Sequence, residues 1–281
     1  MRPDFATAIR PGEHACCRFG QAADRRRLAL AFARTALNRG ERVIYFSAED
    51  EATRFISDLG AVDVRVDDAL GRGQLEPRSA ESAYVVDGKF DSARLRGSLH
   101  HERARARADG YPGLSIVGDM AWALSQPPGR DRLAAYEQAV TAMMDADISF
   151  LCVYDYGRFD AEVLSGVADS HQVDLSPELA QLARVGYLAA SRVLPGPTLR
   201  LAGELDFGCA EALTGVLDAH YHGTLRVDLA DLAWVDVTGL RALRGKNRQR
   251  LTIAAASEPV TKLLRMLGWD TDPAIELLEA T

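Results

Sequence analysis

Two groups of residues carry side chains able to do chemistry. In the first, His14, Cys16 and Cys17 sit on a short strand that leads into a helix near Asp24. Asp119, Trp122, Glu137 and Asp155 fall at or near strand carboxyl ends, or on the adjoining loops and helices, where open α/β sheets bind ligands. These residues, except Cys17, are the expected lining of one ligand-binding cleft. The plainer alternative makes Cys16, Cys17 and Trp122 core and His14 a satisfied buried histidine. A metal held by His14, Cys16 and Cys17 would need a fourth ligand such as His171, and adjacent cysteines chelate poorly, so no metal is expected. The second group lies in VDLADLAWVDVTGLRAL, residues 227–243, where a strand runs into Asp236 and a helix begins at Thr238-Gly239. That places the threonine hydroxyl at a helix amino end, whose free N–H groups and dipole favour negative charge, phosphate included. Phosphorylation would add about 1.5 to 2 negative charges there, enough to repel a docked partner. The alternative reading of Thr238 is an ordinary N-cap.

Other chemistries find no conventional motif in the chain. No GxxxxGK[ST] loop is present: Gly88-Lys89-Phe90 and Gly245-Lys246-Asn247 lack the hydroxyl residue, and Gly71-Arg72-Gly73 is not followed by a glycine at the Rossmann position. There is no GxSxG elbow for acyl transfer and no HExxH for a metallohydrolase. The arginines of His100 to Arg107 fall at every second position, so on a helix they spread around it and form no nucleic-acid stripe. No catalytic residue, no cofactor and no enzyme activity are expected.

The elements that position these groups follow from periodicity. RVIYFS (42–47), LSIV (114–117) and ISFLCVY (148–154) are nearly continuous apolar runs, as in parallel strands covered on both faces. Asp24 to Arg39 reads as a helix closed by Gly40, and Leu133, Tyr136, Val140 and Met143 repeat helical spacing. Ser176 to Ala190 reads as a helix with Ser176 at the N-cap and Pro177 at the first turn, followed by the turn-rich VLPGP. From Thr198 onward, strands and helices alternate compactly: Leu199, Leu201 and Leu205, then Cys209 to Leu217, then Leu225, Val227 and Leu229. A short helix from Thr238 to Arg244, a strand at 251–255 and a helix carrying Val260, Leu263, Leu264 and Leu267 complete the pattern.

At 281 residues the chain exceeds an ordinary single core, so two domains are expected. Its 47% hydrophobic and 26% charged residues are globular in kind, and a net charge of -7 gives no support for nucleic-acid binding. Four cysteines without CxxC spacing suit a reducing, cytoplasmic setting. No apolar leader and no membrane-length run are seen, so neither export nor membrane insertion is expected.

Two resemblances sharpen this reading. GEHAC (12–16), RGERVIYFSAED (39–50), GDMAWAL (118–124), AYEQAV (135–140) and CVYDYGRFDAEVLSGVADSH (152–171) together resemble the MEDS domain. The resemblance implies a RecA-like sensory module, without phosphate chemistry, that takes a small organic ligand, with His14 and Cys16 matching the family's His-x-Cys. GELDFGCAEAL (203–213), VDLADLAWVDVTGL (227–240) and SEPVTKLLRMLGW (257–269) resemble the STAS domains of anti-sigma-factor antagonists. That resemblance implies Thr238 as phosphoacceptor with Asp236 as its supporting acid; Val237 stands where such antagonists often carry a second hydroxyl. The expected fold class is therefore α/β, a RecA-like, mostly parallel sheet flanked by helices followed by a small STAS α/β domain. The expected boundaries are 1–175, a helical linker over 176–192, and 193–281. The implied protein is a bacterial signal-transduction regulator acting by phosphorylation-controlled binding to an anti-sigma factor or serine/threonine kinase; self-association as a homodimer stays open. Two rival readings are a degenerate RecA-like nucleotide-binding protein or ATPase, and a non-switching scaffold of a stress-sensing complex.

Overall fold

The structure, a computed structural model, describes residues 9–62, 65–196, 198–245 and 248–278. The chain's lead before Ile9, Pro197 of the junction, the Lys246-Asn247 pair and residues 279–281 lie outside the described residues. The chain divides into two compact units, Arg10–Asp174 and a second that takes in everything described from Leu175. No helix among the described residues is long and apolar enough to cross a membrane.

The first unit holds β1 (His14–Phe19), α1 (Ala22–Asn38), β2 (Arg42–Ser47), α2 (Glu49–Ala61), α3 (Val66–Gly71), β3 (Leu75–Ser79) and α4 (Ala80–Tyr84). A two-residue pair, β4 (Val85–Val86) and β5 (Lys89–Phe90), precedes α5 (Ser92–Ala108), β6 (Leu114–Asp119), α6 (Leu133–Thr141), β7 (Ile148–Asp155) and α7 (Ala161–Asp169). The strand β8 (Val173–Leu175) spans the boundary between the units. Strands β1, β7, β6, β2 and β3 pair side by side, all parallel. Because side chains alternate along a strand, each strand serves two layers. Cys16, Ile44, Phe46, Ile116, Phe150, Cys152 and Tyr154 pack with Leu99 of α5, Tyr136 and Val140 of α6 and Val167 of α7. From the opposite parity, Tyr45 stacks on Phe55 of α2. Full cover on both faces is why β2, β6 and β7 read as unbroken apolar runs.

The second unit opens with α8 (Pro177–Val185) and β9 (Leu188–Val193). It continues through β10 (Thr198–Leu205), α9 (Phe207–His220), β11 (Gly223–Val235), α10 (Val237–Arg244), β12 (Arg248–Ala256), α11 (Glu258–Met266) and β13 (Ile275–Leu277). Strands β10 to β13 run parallel in that order, and β9 pairs antiparallel with β10. Leucines of α8, α9, α10 and α11 close over this sheet as one core. The helix expected to reach Ala190 stops at Val185: Gly186 is extended, and Leu188 to Val193 pair with β10 instead. Cross-strand bonding outweighs the helix propensity of the two alanines there. Gly186 is required by packing, since a Cβ on it would lie 2.9 Å from the Cβ of Cys209.

Candidate functional site

The helix α6 buries Leu133, Tyr136, Glu137 and Val140, so Glu137 occupies a core position of the apolar stripe. A fully buried carboxyl is costly unless it is bonded. Here the hydroxyl of Tyr154 donates to Oε1, and Oε2 faces three further groups: Nε2 of His14 at 3.3 Å, Sγ of Cys152 at 3.6 Å and Nε2 of His171 at 3.7 Å. Nε2 of His14 is also 3.3 Å from Sγ of Cys152, and the two imidazoles lie 3.9 Å apart between centroids. The four ligating atoms lie within 4.8 Å of one another, and all four residues are buried.

Four separate elements build this cluster. His14 opens β1, Cys152 lies on β7, Glu137 comes from the middle of α6, and His171 follows the end of α7. Both imidazole tautomers follow from their bonds. The hydroxyl of Thr141 donates to the carbonyl of Ser170 at 2.6 Å, which leaves its oxygen to accept from Nδ1–H of His14 at 2.8 Å. Nδ1–H of His171 donates to the Val167 carbonyl at 2.6 Å. Each ring therefore aims an Nε2 lone pair at the cluster, and Nε2 of His171 has no hydrogen-bond partner among the described residues. Burial pulls both histidines down to about 3, so they are neutral at ordinary pH. Burial also pushes the Glu137 carboxyl up, against the opposing pull of His171 and Tyr154, and pushes the Cys152 thiol well above its usual range. The set consists of two imidazoles, a carboxyl and a thiol, and it could hold a metal ion.

The expected cleft is divided by the structure. His14 and Glu137 come together, with Cys16 packed in the same core layer. His14 is the first residue of β1, so it stands at the amino end of a strand, and the cluster lies between sheet and helices instead of at the carboxyl edge. Asp119 ends β6, caps the following turn through the Ala121 amide, and pairs with Arg25 at 2.7 Å. Trp122 stacks on Tyr84 at 4.8 Å, and Asp155 closes a turn by accepting from the Gly157 amide. Cys152, Tyr154 and Thr141 escaped sequence reading. The signal was register: His14 and Cys16 share parity on β1, and Cys16 lies opposite Cys152, so one face carries all three.

In the second unit, Asp236 is the N-cap of α10: Oδ1 accepts from the Gly239 amide at 2.7 Å, and Oδ2 accepts from the Phe207 amide, at the start of α9, at 2.9 Å. Both carboxylate oxygens are thus engaged by backbone. Gly239 is fixed by crowding, since a Cβ there would meet the Leu205 carbonyl oxygen at 2.3 Å. Thr238, between them, is exposed, and its hydroxyl makes no hydrogen bond among the described residues. It borders a groove of about 570 Å³ between α9 and α10, lined also by Phe207, Ala210, Thr214, Arg241 and Ala242. Phe207 is 77% exposed, an apolar ring held in water.

Comparison with known proteins gives two family matches. Residues 13–172 match the family described as MEDS, the methanogen/methylotroph, DcmR sensory domain. Residues 188–279 match that described as Mlab, STAS domain. No curated protein matches the chain. Among solved structures it is similar to the flagellar accessory protein FlaH from Methanocaldococcus jannaschii, at 15% identity over 66% of this chain and 79% of that one, with a TM-score of 0.43. It is likewise similar to a KaiC-like protein from Pyrococcus horikoshii OT3, at 10% identity over 66% and 79% of the two chains, with a TM-score of 0.42.

Proposed function

Since this chain belongs to the MEDS family of sensory domains and carries a STAS domain behind it, we propose that it is a signalling regulator whose output is a phosphorylation-controlled docking surface centred on Thr238. The first unit takes the signal, a small organic ligand; the second binds an anti-sigma factor or serine/threonine kinase. The protein acts by association and catalyses no reaction itself.

The observation that carries this reading is the division of labour in Asp236-Val237-Thr238-Gly239. Asp236 does the capping and Gly239 admits the neighbouring carbonyl, so neither capping nor packing accounts for the threonine between them. Its hydroxyl is open to a kinase and stands beside the exposed Phe207. Burying that ring against a partner would contribute about 1.5–3 kcal/mol. A phosphate at the same place brings about 1.5 to 2 negative charges, which an interface cannot desolvate unpaired. Docking and phosphorylation are thereby mutually exclusive.

The test is to incubate the full chain with candidate serine/threonine kinases of the anti-sigma class and ATP, then locate the phosphate by peptide mass spectrometry. Modification of Thr238, abolished in Thr238→Ala, is the expected result. Phosphate placed only elsewhere, or no phosphate from any of these kinases, counts against the reading.

A further inference from the structure

The buried cluster of the first unit has an imbalance of donors and acceptors that its own protons do not resolve. Three acceptors face one small space: Nε2 of His14, Nε2 of His171 and Oε2 of Glu137. The Cys152 thiol donates to Oε2 at 3.6 Å, and Nε2 of His171 is left with a lone pair and no donor among the described residues. Buried polar atoms are rarely orphaned in this way. A cation at the centre would satisfy all four atoms at once, with Cys152 binding as the thiolate and Glu137 as the carboxylate.

The spacing fits one kind of cation. Zinc bonds of ~2.0–2.2 Å to nitrogen or oxygen and ~2.3 Å to sulfur put tetrahedral neighbours roughly 3.3–3.6 Å apart. Four of the contacts around the cluster are 3.3, 3.3, 3.6 and 3.7 Å, and no pair of the four ligating atoms exceeds 4.8 Å. Two neutral imidazoles, one thiolate and one carboxylate around a dication sum to zero charge, the condition for burying ions in a dry interior. The outer bonds are those of ligating histidines, each donating its second N–H to an oxygen: Thr141 Oγ1 for His14 and the Val167 carbonyl for His171.

We propose that His14, Glu137, Cys152 and His171 form a closed tetrahedral site for a divalent transition metal, zinc foremost, that joins β1, β7, α6 and the end of α7. The site stands whether or not Thr238 is a phosphoacceptor. Because it is wholly buried, metal enters as the unit folds and stabilises the folded state.

The full chain, produced in medium supplemented with zinc or with cobalt, tests this. One zinc per chain by elemental analysis is expected, and the cobalt form should show tetrahedral ligand-field bands with a sulfur-to-cobalt charge-transfer band. That band should vanish in Cys152→Ser and persist in Cys209→Ser, whose cysteine lies in the other unit. Thr141→Val, which removes no ligating atom but takes away the oxygen that accepts from Nδ1–H of His14, should lower zinc retention against a competing chelator by about 10–100-fold. If Cys152→Ser does not fold, the wild-type cobalt spectrum and Thr141→Val decide. A folded chain without stoichiometric metal, a cobalt spectrum without the sulfur band, a band that survives Cys152→Ser, or a Thr141→Val chain that keeps its zinc would overturn the site.

Discussion

Replacing Asp236 by alanine should loosen the start of α10 by an amount that can be worked out bond by bond. The carboxylate holds two backbone amides, Gly239 at 2.7 Å and Phe207 at 2.9 Å. Loss of an N-cap costs about 1 kcal/mol, within a range of roughly 0.5–2. Loss of the second bond costs about 1 kcal/mol more, because the freed Phe207 amide can turn to water. The sum, about 2 kcal/mol, corresponds to roughly 30-fold more frequent opening. Amide hydrogen exchange at Gly239 and Leu240 measures this directly in the intact chain. Asp236→Asn separates the two contributions: asparagine caps nearly as well as aspartate, so its exchange should fall between wild type and Asp236→Ala. A change in Asp236→Ala of less than about threefold would refute the claim that this carboxylate organises both helix starts.

Three further outcomes follow from the same geometry. Gly239→Ala places a methyl 2.3 Å from the Leu205 carbonyl oxygen, which belongs to a strand and cannot yield, so unfolding experiments should register a loss of at least about 1–3 kcal/mol. Trp122→Ala removes the ring that stacks on Tyr84 and packs at a tilt against Phe90 and should cost about 3–5 kcal/mol, seen as a lowered midpoint in denaturant. In the cluster of buried Arg42 with Glu76, Glu102 and Arg78, burial alone would raise both carboxyls, but hydrogen bonds from the two arginines hold them below the usual range. Their folded values being depressed, their contribution is fully present above the unfolded value of about 4.3 and is lost as pH falls below it. Tm should therefore drop on acidification through that range, and Glu102→Gln should flatten the slope.

Much of the fold was legible because period and cover agree. The unbroken apolar runs of β2, β6 and β7 report strands sandwiched on both faces, and the structure places them side by side. The second unit was readable because its strands alternate with helices whose leucines recur at helical spacing. What failed was local. The stretch after Gly186 carries good helix formers, and only pairing with β10, invisible in a linear string, makes it a strand. The site was half legible. His14 and Glu137 stand out as polar residues at apolar positions, whereas Cys152 and Tyr154 look like ordinary core until the register of β1 against β7 is known. His171 joins them only because α7 packs on α6 and the chain after it returns to β1, where the Gln172 amide donates to the His14 carbonyl, a long-range fact that no spacing encodes. Asp236 and Thr238 could be picked out from the sequence, but which of the two does the capping could not, since both residue types cap helices well.

The proposed gate at Thr238 works by charge, and the decisive measurement is the affinity of an anti-sigma or kinase partner for the full chain in four forms: unmodified, phosphorylated, Thr238→Ala and Thr238→Glu. Tight binding is expected of the unmodified chain and of Thr238→Ala, with at least about tenfold weaker binding of the phosphorylated and glutamate forms, about 1.4 kcal/mol or more. Equal affinity for all four forms would contradict the gate.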